Sequence, residues 1–391
     1  MEELRPSQRI LMGPGPTDVD PVVLRAMSAP VLGHTDPAFF SVLDDIAQGL
    51  RYAFQTRNPL TLTLTASGTG AMEACLANVL EPGDRLVVGV AGFFAERLAL
   101  IGERLGAEVV RVQAPWGTAI DPDQVRRVLE VAPTKVLALV HGETSTGVRQ
   151  PLEGFGALAR AHDALLLVDT VPTLTGMPLD VDDLQIDICY SGSQKCISAP
   201  PGLAPLTFND RARAAMIARK HPISFYFDLQ LLERYWSGDH VYHHTPAINL
   251  YYALHEALRL IEAETLAARI DRHTRTHRLL LEGLEDLGLQ PFVAPEIRAT
   301  TVTTVRVPDG IDDLQVRRYL LAHYGLEIAG GLGELQGCIW RIGLMGYSCQ
   351  ERNVILLLGG LRRALADQGY QPASRPFAGS TLQPAGVGGG D

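Results

Sequence analysis

Residues 164–169 read ALLLVD, five apolar positions that run on without a polar break and then stop at a carboxylate, Asp169. A strand with one wet face alternates apolar and polar residues, whereas a strand covered on both faces reads as a continuous apolar run. Residues 136–140, VLALV, repeat the pattern and end in His141. Around these runs the apolar spacing changes to that of helices, as at Phe39, Phe40, Leu43, Ile46 and Leu50. Covered strands alternating with helices predict an α/β fold with a mostly parallel central sheet. In open sheets of that kind, chemistry gathers at the carboxyl ends of the strands.

Working outward, Leu62 and Leu64 mark a short strand, SGTG at 67–70 a turn, and 71–80 a helix. A strand at 86–90, an aromatic turn at Phe93-Phe94 and a helix to about 105 follow. Next come a strand through Val109, Val110 and Val112 and a helix at 123–130. Downstream lie DICYSGSQK at 187–195, the apolar run LAPLTF at 203–208 and a long helix from Asn249. A second pattern then begins, with helices at 265–286, 312–323 and 351–367 and strands at 303–307, 326–329 and 338–342, which predicts an α+β unit. The segment LMGPGPT at 11–17 cannot form a regular helix. The expected division is an N-terminal arm at 1–20, a large domain at 21–262, a smaller C-terminal domain at 263–370 and a Pro/Gly-rich tail at 371–391.

A chain of 391 residues has room for two cores. The formal charge of -10, with arginines only in short interrupted clusters, argues against a nucleic-acid partner. Five scattered cysteines form no metal pair and no disulfide framework, which suits a reducing compartment. The start MEELRPSQRI lacks an apolar signal core, and no apolar run reaches the ~18–20 residues of a membrane span. These features predict a cytoplasmic protein without a membrane partner. His243 and His244 stand side by side without a cysteine or carboxylate at ligand spacing, so no metal site is expected.

Asp169 at a strand end and Lys195 in a polar turn 26 residues later are the most suggestive pair. A buried carboxylate needs a donor, and a desolvated lysine can expose a nucleophilic amine. A protonated pyridine nitrogen and an aldehyde would answer both, while a structural ion pair plus a surface lysine remains the plainer alternative. SGTG before a helix can cradle a phosphate with its amides and hydroxyls, or can simply cap that helix.

The stretches LMGPGPT, SGTGAMEA, NVLEPGD, HGETSTGV, LLLVDTV, DICYSGSQK, APPGLAPLTF, YHHTP and WRIGLMG together resemble the class V pyridoxal-phosphate aminotransferases. The likeness is to the alanine–glyoxylate and serine–pyruvate or serine–glyoxylate branch, over about residues 8–370. It implies the type I fold of pyridoxal-phosphate transferases, pyridoxal 5'-phosphate as cofactor and a homodimer with active sites shared across its interface. Lys195 matches the lysine that carries the cofactor and later moves the substrate proton, and Asp169 the carboxylate on the pyridine nitrogen, with Val171 against the ring. Thr69, Gly70 and Ala71 fall where the family loop meets phosphate, with Gln194 beside it. Ala71 departs from the histidine of some animal relatives.

Phe94 stands where many relatives place a stacking tryptophan, and Ser145 where a hydroxyl approaches the cofactor's phenolic oxygen. His141 either orients that loop or is a packing histidine. Tyr242 and Thr245 match residues sent to the other subunit's phosphate. Arg341 matches the arginine that takes the substrate carboxylate, and Gly13 and Gly15 could bring the arm close to it. The implied activity is amino transfer from alanine or serine to glyoxylate or pyruvate. Alternatives are a 2-aminoethylphosphonate or other small-amino-acid aminotransferase, a cysteine desulfurase and a noncatalytic binding scaffold. Cys338, within an apparent strand, is poorly placed as a mobile nucleophile.

Overall fold

The computed structural model describes residues 1, 3–222 and 224–371, so the tail expected at 371–391 lies outside the described residues from 372 onward. Buried backbone amides and carbonyls must find partners, and between residues 60 and 208 a seven-stranded sheet supplies many of them. Its strands are β1 (Leu60–Thr65), β2 (Arg85–Val90), β3 (Glu108–Gln113), β4 (Val136–Val140), β5 (Leu165–Asp169), β6 (Ile188–Tyr190) and β7 (Leu203–Phe208). They lie in the order β1-β7-β6-β5-β4-β2-β3. All neighbouring pairs are parallel except those of β7, which runs antiparallel to β1 and β6. The mostly parallel sheet read from the apolar runs is what the chain forms.

Side chains on β4 and β5 alternate between two buried layers. Leu137, Leu139, Leu166 and Val168 enter one core, and Val136, Ala138, Val140, Leu165 and Leu167 enter the other. Fully burying one such leucine or valine is worth about 1.5–3 kcal/mol. Both layers want apolar residues, so the period of two vanishes from the sequence.

Local caps fix where helices begin. The Asp36 carboxylate accepts from the Ala38 amide at the start of the helix Pro37–Phe54. Ser67 caps the helix Gly68–Ala77, which therefore begins at Gly68 rather than at Ala71. Glycines weaken helix interiors, but the first turn tolerates them once a cap is present.

The C-terminal part builds its own core. Strands β8 (Val302–Arg306), β9 (Ala329–Gly330) and β10 (Ile339–Gly343) form an antiparallel sheet in the order β8-β10-β9. Helices Leu266–Asp286, Asp313–Tyr324 and Glu351–Ala366 accompany it, with Trp340, Ile342, Leu320 and Leu357 among the buried residues. This is the expected α+β unit. The strand expected at 326–329 is split, because Leu326–Glu327 pairs instead with Ile10–Leu11 of the N-terminal arm. Met12 donates to Glu327 and accepts from Gly343, while Thr17 donates to the Gln194 carbonyl. The arm thereby ties the second core to the first. Among the described residues, no helix is long and apolar enough to cross a membrane.

Helices Ile248–Glu264 and Leu266–Asp286 meet at Thr265, whose φ is 66°. At that joint Glu264 pairs with Arg269 at 2.7 Å and Arg272 at 2.6 Å. Arg269 also donates to the carbonyl of Cys196, and Arg272 to those of Gly346 and Cys349. Burial alone would raise the Glu264 pKa, but hydrogen bonds and charge from the two arginines bring it down to about 2. Glu264→Gln should therefore cost about 3 kcal/mol of unfolding free energy at neutral pH, since a buried guanidinium loses its counter-charge. The gap between parent and variant should close as pH falls from 4.5 towards 2, where the parent's own carboxylate takes up a proton. Urea unfolding across that range measures it.

Candidate active site

β5 delivers Asp169 to the carboxyl edge of the sheet, in register with Val140 on β4 and Tyr190 on β6. The residue is 2% exposed. Its Oδ1 accepts from the Val171 amide at 2.8 Å and its Oδ2 from the Tyr190 hydroxyl at 2.7 Å. Burial is the main reason its pKa rises from 3.8 to about 6, with these bonds and Lys195 opposing and Glu143 adding to the rise. Both donors are neutral, and each carboxylate oxygen keeps accepting capacity for another.

Lys195 follows β6 in the loop that leads to β7 and is buried. Its ammonium donates to the carbonyl of Pro14 in the arm. Burial lowers its pKa from 10.5 to about 8, and the charge of Arg341 pushes in the same direction. Gly15 has a φ of +98°, and a Cβ there would collide with the Lys195 side chain.

Lys195 and Asp169 line one cavity of about 210 Å³, together with Thr69, Phe94, Val171 and Gln194. Six of the residues singled out in the sequence thus share one space. Gln194 Oε1 is buried there without a hydrogen-bond partner. Among the described residues, no acceptor meets the amides of Gly68 and Thr69, which open the helix beside the cavity.

Other expected residues sit differently. Gly70 is in the same first turn, its amide 3.4 Å from Ser67 Oγ. The Ala71 amide is already bonded to the Ser67 carbonyl at 3.1 Å, so the helix itself occupies the donor that the resemblance directs to phosphate. Ser145 is fully buried and off the cavity wall; its hydroxyl donates to Glu143 at 2.6 Å and accepts from the Phe93 amide at 3.0 Å. Arg341, on β10, is not part of the cavity lining and donates to the carbonyls of Gly330 at 2.7 Å and Thr144 at 3.4 Å. Tyr242 and Thr245 are exposed, with the Tyr242 ring tilted 4.9 Å from His34. His141 is a buried packing histidine bonded to Thr173, its pKa lowered to about 4 chiefly by burial. His243 and His244 bond to each other through Nδ1, at 2.7 Å.

Three neighbours went unread in the sequence. Tyr190 is the polar tip in the apolar strand ICY, and a buried hydroxyl of that kind calls for a partner. Glu143 accepts from Ser145 N and Oγ and from the amides of Phe94 and Ala95, and so caps the helix Phe93–Arg104, whose own cap residue is Gly92. Its signal was a lone carboxylate at the end of an apolar run. Arg97 lines the cavity three residues beyond Phe94, a spacing that puts both on one helix face.

Residues 24–351 match the family model for aminotransferase class-V. The chain belongs to the class V aminotransferases. It is 42% identical over 382 residues to the (S)-ureidoglycine–glyoxylate transaminase of Bacillus subtilis (strain 168), covering 93% of this chain and 92% of that one. It is 44% identical over 364 residues to the alanine–glyoxylate aminotransferase of Rattus norvegicus, covering 92% and 88%. The crystal structure of an alanine–glyoxylate aminotransferase from Nostoc sp. superimposes with a TM-score of 0.92 at 47% identity, over 93% of this chain and 97% of that one.

Class V aminotransferases depend on pyridoxal phosphate, and this cavity suits such a group. It offers a buried carboxylate with spare acceptor capacity, an amine with a lowered pKa and two helix-start amides without an acceptor among the described residues.

In the cofactor-free aminotransferase the Asp169 charge is a cost to folding, fully present above about pH 6 and absent below 3.8. Asp169→Asn should raise the Tm by a few degrees above pH 6 and change it little below 3.8. Calorimetry at both ends of that window checks the sign.

Proposed function

We propose that this aminotransferase moves the amino group of alanine or serine to glyoxylate or pyruvate, as a cytoplasmic homodimer using pyridoxal 5'-phosphate. The observation that carries the reading is that Lys195 and Asp169 line one cavity while the arm residues Pro14 and Gly15 press against the lysine. So close an arm leaves little room for a long substrate side chain, which favours alanine and serine over larger donors. The two curated relatives above, both named for glyoxylate and aligned over most of their length, support the choice of acceptor.

Bound pyridoxal phosphate supplies the electron sink that lets an amino acid lose its Cα proton. Asp169, as a carboxylate, would hold a proton on the ring nitrogen. Phe94 and Val171, on the cavity lining, would cover the ring. Thr69 and Gly70 would face the phosphate with Gln194, the Ala71 amide being engaged within the helix, and Tyr242 and Thr245 would reach the second subunit's cavity. Ser145 works from behind the wall, fixing the Phe93–Phe94 turn through Glu143. The Lys195 amine carries the proton to and from the substrate Cα, a task suited to a base whose pKa lies near 8. Arg341 keeps N–H groups beyond its two carbonyl contacts, and its guanidinium receives the substrate carboxylate.

Lys195→Ala should lose the visible absorbance of bound cofactor and at least about 10³-fold in amino transfer. Full transfer in that variant would end the reading. Arg341→Ala should lower kcat/KM for alanine and serine about a hundredfold while cofactor stays bound. In the cofactor-free protein, the rate of cofactor uptake should rise with pH through a midpoint near 8, because Lys195 would hold the cofactor only in its neutral form. Stopped-flow absorbance follows that rise. A screen of alanine, serine, 2-aminoethylphosphonate and cysteine as donors, with sulfide measured for cysteine, tests the neighbouring chemistries.

A further inference from the structure

A phosphate monoester carries about 1.5–2 negative charges at neutral pH. The donors assigned to it above are all neutral: amides, hydroxyls and a carboxamide. Ala71 contributes no side-chain donor, and its amide is engaged within the helix. The cavity nevertheless has a cation at its edge that the sequence reading left out.

Arg97 lies on the cavity wall with Thr69 and Phe94. Its Nη1 donates to Thr69 Oγ1 at 2.9 Å, and its guanidinium carbon is 5.0 Å from the centre of the Phe94 ring. The carboxylates on its own helix are engaged elsewhere, Glu96 and Glu103 both pairing with Arg111 at 2.8 and 2.7 Å. Among the described residues, Arg97 forms no salt bridge. Thr69 uses its oxygen to accept from Arg97, which leaves the hydroxyl proton free to donate.

We propose that Arg97 is the phosphate-binding cation of this site, gripping the cofactor's phosphate ester together with Thr69. The inference rests on the function proposed above. A guanidinium presents several donors in one plane, matched to two phosphate oxygens, and its bonds to an anion are stronger than those of neutral donors. Thr69 then relays the contact, accepting from Arg97 and donating to the phosphate. Since Arg97 also lies over Phe94, the same residue couples the grip on phosphate to the placement of the aromatic face.

The test compares two probes that differ only in the ester, pyridoxal 5'-phosphate and pyridoxal, titrated into cofactor-free full-length protein by absorbance at low and high salt. Arg97→Gln should weaken pyridoxal phosphate binding at least about tenfold and pyridoxal binding less than about twofold. Arg97→Lys should restore most of the loss. The salt dependence of pyridoxal phosphate binding should be flatter in Arg97→Gln than in the parent. Equal weakening of both probes would mean that Arg97 only props Thr69 and Phe94, and would overturn the proposal, as would no weakening of either. A parent protein that binds neither probe would instead overturn the function on which the inference stands.

Discussion

Asp169 accepts two neutral hydrogen bonds at the end of an inner strand and shares that low-dielectric region with a second buried carboxylate, Glu143. Neither charge could stay there without organised surroundings. Tyr190 and the Val171 amide answer the first, and the start of the helix Phe93–Arg104 with Ser145 answers the second. The helix that presents Phe94 and Arg97 is therefore aimed by a carboxylate at the sheet edge. Cap, strand end and aromatic wall form one connected unit.

The same burial acts with opposite signs on acid and base. It moves Asp169 up to about 6 and Lys195 down to about 8. Removing water disfavours the charged form of each, so an acid and a base whose ordinary values lie far apart become two groups poised near neutrality. An ion pair in bulk water would have driven the two values apart. Low polarity, more than mutual attraction, gives this site its working range.

Much of this was legible in the residues. The runs VLALV and ALLLV announce strands covered on both faces, and the observed layers on either side of β4 and β5 are the reason. Strand direction was less readable, because LAPLTF looks the same whether β7 runs with its neighbours or against them. The helix at Gly68 was read late because its glycines mask the period until the Ser67 cap is in view. Asp169 and Lys195 stood out as chemistry at the ends of apolar patterns. Ser145 looked like a group facing the cavity, and only the folded chain shows its hydroxyl donating to Glu143 and accepting from the Phe93 amide, off the cavity lining. Arg97 escaped because an arginine on an amphipathic helix reads as solvated surface.

The arm has a kinetic meaning beyond its role beside Lys195. Ile10 and Leu11 precede their partners Leu326 and Glu327 by 316 positions, and Met12 also waits for Gly343. Contacts so distant in sequence form late and leave their surfaces unpaired in the meantime. The large sheet can assemble while the lysine stays uncovered, and the arm closes over it only once the segment from Leu326 to Gly343 is in place.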